Sequence, residues 1–343
     1  MKLLLNTNVK YYNECWSMER FCIIDSNKNN IFWKYLNYNW ITTNNTNEIV
    51  FGKNGCPYNQ HKVFNDILEQ ENFMYSDIID TNLILFLKKC IDEKKYILIT
   101  LYFENNCFLH EILIYGYDFK KKIINYYEPY KKNKLSTIKF EELISLFVQT
   151  KKSFKNWFDE YSYRFKYCYP ITTISLKANH NINKINILDL FLFVNEVIEY
   201  KNYKNDGYIY ERKHRTYYDG LLGIINVLFD EFKEYIRGKR TYNFARNIKR
   251  YIDYRLFFFE MVDLFFDEKK LPKLINNENQ VNNKKLENIL LILLKHKEYT
   301  EEIIYGICDK LIEINESDYK YILKLQNILH ELIINTWRYK TIF

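Results

Sequence analysis

Residues 111–127 constrain the fold of this chain more than any other stretch. Two apolar, β-branched and aromatic runs, Glu111–Tyr117 (EILIYGY) and Lys122–Tyr127 (KIINYY), flank the short polar segment Asp118–Lys121. Runs of this length and composition favour strands, and a tight polar turn between them closes an antiparallel hairpin. Glu128-Pro129 ends the second run, because proline has no N–H to give to a ladder. A third run of the same character, Tyr96–Phe103 (YILITLYF), precedes the pair. Together they predict a small antiparallel sheet.

The hairpin has a chemical consequence. The start of one antiparallel strand lies beside the end of the next. His110 stands just before the first run and Glu128 just after the second, so the two are predicted to be neighbours across the ladder. A carboxylate beside an imidazole fixes its tautomer and orients the ring.

Helical spacing dominates before the hairpin. Residues 1–12 read as an extended arm. Glu14–Asp25 (ECWSMERFCIID) reads as a helix capped by Asn13. Residues 27–54 read as loops with short strands, and Lys62–Leu68 and Leu83–Cys90 as helices. After the hairpin, Ser136-Thr137 with Glu141 predicts a helix start, followed by Phe140–Phe147. Cys15 falls in the first turn of the first helix. Exposed N–H groups and the positive end of the helix dipole there favour thiolate. By itself the position is equally that of an ordinary packing residue.

From about Ile185 the apolar period changes to 3.6. Stripes run through Leu188, Phe191, Val194 and Ile198; Leu221, Ile225, Leu228, Phe232 and Ile236; and Ile248, Ile252, Leu256 and Phe259. Leu286, Ile289, Leu290 and Leu293, then Ile303, Cys308 and Leu311, continue the trend. Gly238 reads as a break and Asn276–Asn283 as a polar linker. A chain of 343 residues exceeds one ordinary core, so two domains are expected, 1–150 and a mostly helical 151–343.

Composition narrows the function. Hydrophobic residues make up 48%, enough for packed cores. The net charge of +7 is spread along the chain. Its densest basic clusters, Lys120–Lys122 and Glu211–Arg215, are interrupted or flanked by acids. That pattern argues against a nucleic-acid partner and fits a solvated surface or a dock for an acidic protein. Seven cysteines without a CxxC pair argue against a disulfide framework or zinc site, and no His or Cys pair has metal-ligand spacing. No glycine-rich phosphate loop is present, so no cofactor is expected. The short Leu3–Leu5 run is too small for a signal peptide, and no apolar run approaches the length of a membrane span. A reducing cytoplasm is the expected compartment. Cys56 with His61, Cys107 and His214 read as ordinary packing or surface residues.

The run HEILIYGYDFKKKIINYYEPY resembles the His–strand–Gly–aromatic–Asp–turn–strand–acid–Pro segment of papain-like peptidase C39 relatives. The chain as a whole resembles the butirosin-biosynthesis protein H-like family, which neighbours the amide synthase of closthioamide biosynthesis. The resemblance implies an α+β fold: a papain-like, cysteine-protease-type catalytic domain over 1–150, then a mostly α-helical C-terminal region. It implies a cysteine-dependent acyltransferase that forms an amide bond between a carrier-protein-bound thioester and an amine. Cys15 would carry the acyl group, His110 would act as base and Glu128 would orient it. The implied partners are a carrier protein with a phosphopantetheine arm and an amine acceptor, and the helical half would wall a dry acceptor pocket.

Two positions depart from the family pattern. Glu128 stands where an Asp or Asn is usual. The oxyanion-hole Gln expected about six residues before the cysteine is Val9, with Asn8 and Asn13 as the nearest amides. The Cys15 backbone N–H would be the other donor. The same dyad also suits a cysteine hydrolase or peptidase, and the same fold a non-catalytic interaction protein.

Overall fold

A computed structural model of the chain describes residues 1–8, 15–26, 40–43, 48–51, 64–103, 108–129, 134–153, 169–177, 186–198, 202–205, 215–219, 244–270, 277–295 and 300–340. The protein is α+β. It divides into two compact units, one built from Met1–Ile31, Tyr58–Asn183 and Ile209–Glu211, the other from Phe32–Pro57, Lys184–Tyr208 and Arg212–Phe343. The division therefore differs from a single cut at residue 150.

In the first unit, helix α1 (Cys15–Ile24) precedes strand β3 (Leu68–Phe73), helix α2 (Leu83–Asp92), β4 (Tyr96–Phe103), β5 (Phe108–Asp118), β6 (Ile123–Tyr127), β7 (Leu135–Lys139), helix α3 (Phe140–Ser153) and β8 (Ile171–Leu176). Strands β1 (Trp40–Thr43) and β2 (Glu48–Phe51) belong to the second unit. The six strands of the first unit form one antiparallel sheet in the order β3-β8-β4-β5-β6-β7.

The expected hairpin is present. Asp118 Oδ1 accepts the N–H groups of Lys120 (3.0 Å) and Lys121 (3.1 Å), which folds the turn back on itself. Lys122 completes it with φ 52°. Three strands exceed the expected sheet. Lys62–Leu68 was expected as a helix, but Phe64–Asp66 forms one 3₁₀ turn and Leu68 opens β3. Among the described residues that strand pairs only with β8, and its Glu69, Glu71 and Asn72 are exposed while Leu68 is buried. Ser136 and Thr137 do not begin a helix. They lie in β7, where Thr137 and Ile138 add to β6, and the helix starts at Phe140.

Register assigns the faces. Ile97, Ile99 and Leu101 of β4 pair with Ile114, Ile112 and His110 of β5, and Ile114 pairs with Tyr126. These isoleucines, Leu101 and Tyr126 form a core with Leu83 and Leu87 of α2 and Leu143 and Phe147 of α3. The other face carries Leu98, Thr100, Glu111, Leu113 and Tyr127. On that face lies α1, whose residues Met18–Ile24 are all buried, Glu19 and Arg20 included. Thr100 apart, β4 is an apolar and aromatic run, and its first six residues are buried because both faces are covered there.

The N-terminal arm joins the sheet beyond the start of β4. Lys2 bridges Gly116, with Leu3 N donating to Tyr115 O (2.8 Å) and Tyr117 N to Met1 O (2.8 Å). A Cβ on Gly116 would stand 2.6 Å from Met1 O, so this approach needs glycine.

The second unit holds a four-stranded antiparallel sheet, β2-β1-β10-β9, completed by β9 (Asn202–Asn205) and β10 (Arg215–Asp219). Its helices are α4 (Ile187–Ile198), α5 (Phe244–Glu268), α6 (Asn277–Lys295) and α7 (Glu301–Lys340). In α4, Val194 of the expected stripe is buried and Phe191 half-buried, Leu188 is exposed and Leu190 is buried beside them; the side chain of Ile198 lies outside the described residues. Tyr217 to Asp219, expected in a helical region, form part of β10; the stripe from Leu221 to Ile236 and Gly238 lie outside the described residues.

The expected linker Asn276–Asn283 is instead largely the beginning of α6. Its asparagines complete a buried polar cluster. Arg255 makes a forked pair with Asp318 (Nε–Oδ2 2.6 Å, Nη2–Oδ1 2.8 Å) and donates through Nη1 to Asn283. Asn282 donates to Ser317 (3.1 Å). Among the described residues no helix is long and apolar enough to cross a membrane.

Candidate functional site

Strand pairing builds the site. His110 is the third residue of β5 and pairs with Leu101. Glu128 follows β6, and its N–H donates to Lys134 O (2.9 Å), so the ladder continues one residue past the strand. Ile114 faces Tyr126, and two-residue alternation then carries His110 and Glu128 to the same face. His110 Nε2 lies 3.6 Å from Glu128 Oε1, with the side chains 11% and 10% exposed. That is ion-pair distance, just beyond a hydrogen bond, in a mostly dry setting. The pair is charged only when His110 is protonated. A carboxylate in this position restrains the ring.

Cys15 is the first residue of α1, where the leading N–H groups have no partner within the helix. Its side chain lies outside the described residues. Asn6 N donates to Cys22 O (3.1 Å), and Tyr96, at the start of β4, donates to Leu4 O (2.5 Å). Tyr96 also hydrogen-bonds Ser26, just past α1. These contacts hold the C-terminal end of α1 at the Tyr96–Tyr115 end of the sheet. Arg20, midway along α1, meets Glu111, the residue after His110, so the helix runs back from there with its first turn away from Tyr96. The register adds a second fact: α1 lies over the Glu111 face, whereas His110 and Glu128 belong to the α2–α3 face.

The other described thiols are held protonated. Burial pushes Cys22 up to about 12, against a hydrogen bond with Tyr127. Burial likewise raises Cys90 and Cys308 to about 11. Such thiols are poor nucleophiles near neutrality. Asn8 is exposed, and its backbone N–H donates to Asn6 Oδ1 (3.0 Å). Asn13, Cys56, His61, Cys107 and His214 lie outside the described residues.

Sequence reasoning assigned no role to Arg20. It is 2% exposed, with Nη1 3.6 Å from Glu111 Oε1 and Nε donating to Gln70 Oε1 (3.2 Å). The signal was present as Glu19-Arg20 inside the apolar run MERFCII, a charge that can be buried only if another group meets it.

On the α2–α3 face, a cleft of about 330 Å³ opens between Met74–Ser76 and the last turns of α3. Lys151 Nζ at its wall donates to Ile78 O (3.0 Å) and Asp80 Oδ1 (2.9 Å). Among the described residues no group of three His, Cys, Asp or Glu side chains is placed to hold a metal ion. Comparison with protein-family models and with curated proteins finds no match for the chain.

Proposed function

We propose that the protein is a cysteine-dependent acyltransferase with a papain-like catalytic unit, forming an amide bond between a carrier-bound acyl thioester and an amine. The observation that supports it is the half-dry His110–Glu128 pair, whose His110 precedes the Glu111 that meets α1, the helix that begins with Cys15. Cys15 thiolate attacks the thioester carbonyl. The tetrahedral intermediate collapses, and the phosphopantetheine thiol leaves with a proton from His110. An amine then attacks the acyl-Cys15 thioester, gives its proton to His110, and expels the Cys15 thiolate. One thioester is exchanged for an amide without a redox step or cofactor. Glu128 orients the imidazole and stabilises its protonated form. The carrier and the amine are proposed partners, and Asn8 and Asn13 the proposed oxyanion-hole amides.

A second reading rests on the register. With His110 on one face of the sheet and α1 on the other, the dyad requires the thiol to meet the imidazole around the start of β5. If it does not, His110–Glu128 is a buried structural pair and the protein a non-catalytic interaction module.

Intact-protein mass spectrometry with hexanoyl-pantetheine separates the readings. The acyltransferase acquires one hexanoyl group on Cys15, discharged by added amine faster than by water. Cys15→Ala abolishes the adduct, and His110→Ala slows its formation by about 100-fold or more. An adduct that water discharges as fast as any amine identifies a hydrolase. No adduct on Cys15 leaves the interaction module.

A further inference from the structure

The residue that ties α1 to the sheet is charged and buried, and its carboxylate partner Glu111 is one strand position away from His110. Arg20 reaches from the middle of α1 to Glu111 of β5 and Gln70 of β3, strands separated by β8 and β4. Its guanidinium also lies over the Phe64 ring, 5.7 Å from the centroid, and Gln70 is held in turn by Asn65 (2.7 Å). Few ways exist to bury an arginine this deeply, and here all of the named partners belong to elements beneath or beside α1.

A helix lying on a sheet through apolar contacts alone can slide or rotate with little change in buried area, because the hydrophobic effect is non-directional. A guanidinium that meets Glu111 through Nη1 and Gln70 through Nε, on two different strands, restricts that freedom. Glu111 follows His110 directly, so the strand residue that fixes the helix and the strand residue proposed as base share a peptide bond. Their side chains project to opposite faces, and any shift of α1 along β5 changes how its first residue meets the start of that strand.

We propose that Arg20 is a positioning residue: clamped between Glu111 and Gln70, it sets the Cys15 end of α1 relative to His110. The proposal rests on the acyl-transfer reading of Cys15 and His110. It acts through placement alone, since Arg20 touches neither of them among the described contacts.

The test uses the full chain and iodoacetamide, with labelling of Cys15 followed by peptide mass spectrometry. Arg20→Lys keeps the charge but, with one terminal nitrogen, loses the simultaneous reach to Glu111 and Gln70. Arg20→Met with Glu111→Leu removes both charges together and leaves neither charge unpaired, a replacement that is often neutral or stabilising. Both variants are expected to keep the wild-type circular dichroism and cooperative unfolding. In both, Cys15 labelling slows, and the effect of adding His110→Gln falls from about tenfold to less than about twofold, as an uncoupled thiol requires.

A purely structural clamp gives the opposite result: unfolding shifts, while the Cys15 rate and its dependence on His110 persist in whatever remains folded. That outcome overturns the proposal. If the double variant does not fold, Arg20→Lys decides alone, and an unchanged Cys15 rate there refutes the clamp. If His110→Gln has no effect in the wild type, the acyl-transfer reading fails. The positioning of Cys15 is then judged by whether Arg20→Lys alters its labelling rate.

Discussion

Iodoacetamide labelling of the seven thiols tests whether Cys15 is a nucleophile, and its expected size follows from burial. At about pH 7.5, a thiol with the unperturbed pKa of about 8.5 is about one-tenth thiolate. Cys90 and Cys308, at about 11, would be thiolate in only about 3 parts in 10⁴, and Cys22, at about 12, in about 3 parts in 10⁵. A more basic thiolate is intrinsically more nucleophilic, which returns a factor of about 13 to the first two and about 40 to Cys22. The net lead of Cys15 is then about 25-fold over Cys90 and Cys308 and about 80-fold over Cys22, even with an unperturbed Cys15. Restricted access to the buried thiols widens the gap. A helix N-terminus and a His110 partner widen it again, and His110→Gln should remove about tenfold of the Cys15 rate. Time-resolved peptide mass spectrometry gives every rate in one experiment. Cys15 labelling no faster than Cys22 would refute the argument from burial, and an unchanged rate in His110→Gln would refute the dyad.

Three further outcomes follow from the fold. Gly116→Ala should expel the arm from Met1–Leu3, destabilise the first unit by about 1–3 kcal/mol in urea, and speed tryptic cleavage after Lys2; unaltered cleavage counts against the close-approach argument. Asp318→Asn strands the buried Arg255 and should cost about 3–5 kcal/mol, whereas Arg255→Met with Asp318→Leu should be nearly neutral; equal losses from both would show that the pair's charge is not what matters. Cys22 is raised in the folded state from 9.0 to about 12, so its stabilising contribution is complete below about pH 9 and disappears as pH rises toward 12, at up to about 1.4 kcal/mol per pH unit. Cys22→Ala should flatten that alkaline decline in urea midpoints measured at successive pH values.

The central strands were legible because their signal is local and redundant. YILITLYF and EILIYGY are dense in β-branched and aromatic residues, and the chain forms β4 over Tyr96–Phe103 and β5 over Phe108–Asp118. The edges were not legible, because an edge strand needs only half an apolar face. LEQENF carries four polar residues of six and becomes β3 through pairing with β8, a partner about 100 residues away. LSTIK becomes β7 because β6 offers it a ladder. In the helical unit, NENQVNN read as a linker because Asn282 and Asn283 look like surface residues until their partners, Ser317 and Arg255, are known.

The same limit governs the site. Hairpin logic brought His110 to Glu128 because both belong to one ladder, whose alternation is fixed by two adjoining strands. It could not place Cys15, since a helix meets a sheet through side chains rather than a register. Three tertiary facts bear on that placement: Arg20 with Glu111, Cys22 with Tyr127, and Asn6 with Cys22. The first two put α1 on the Glu111 face, and the third ties it to the N-terminal arm. Glu111 itself could have indicated this in advance. In EILIYGY, the isoleucines at 112 and 114 line the α2–α3 core, which leaves Glu111 on the other face, where a charge in an otherwise apolar environment requires a cation. The only cation inside the apolar run of the first predicted helix is Arg20. The chemistry proposed for Cys15 therefore turns on what happens at the start of β5, where a thiol from one face and an imidazole from the other have to meet beyond the first paired residues of the strand.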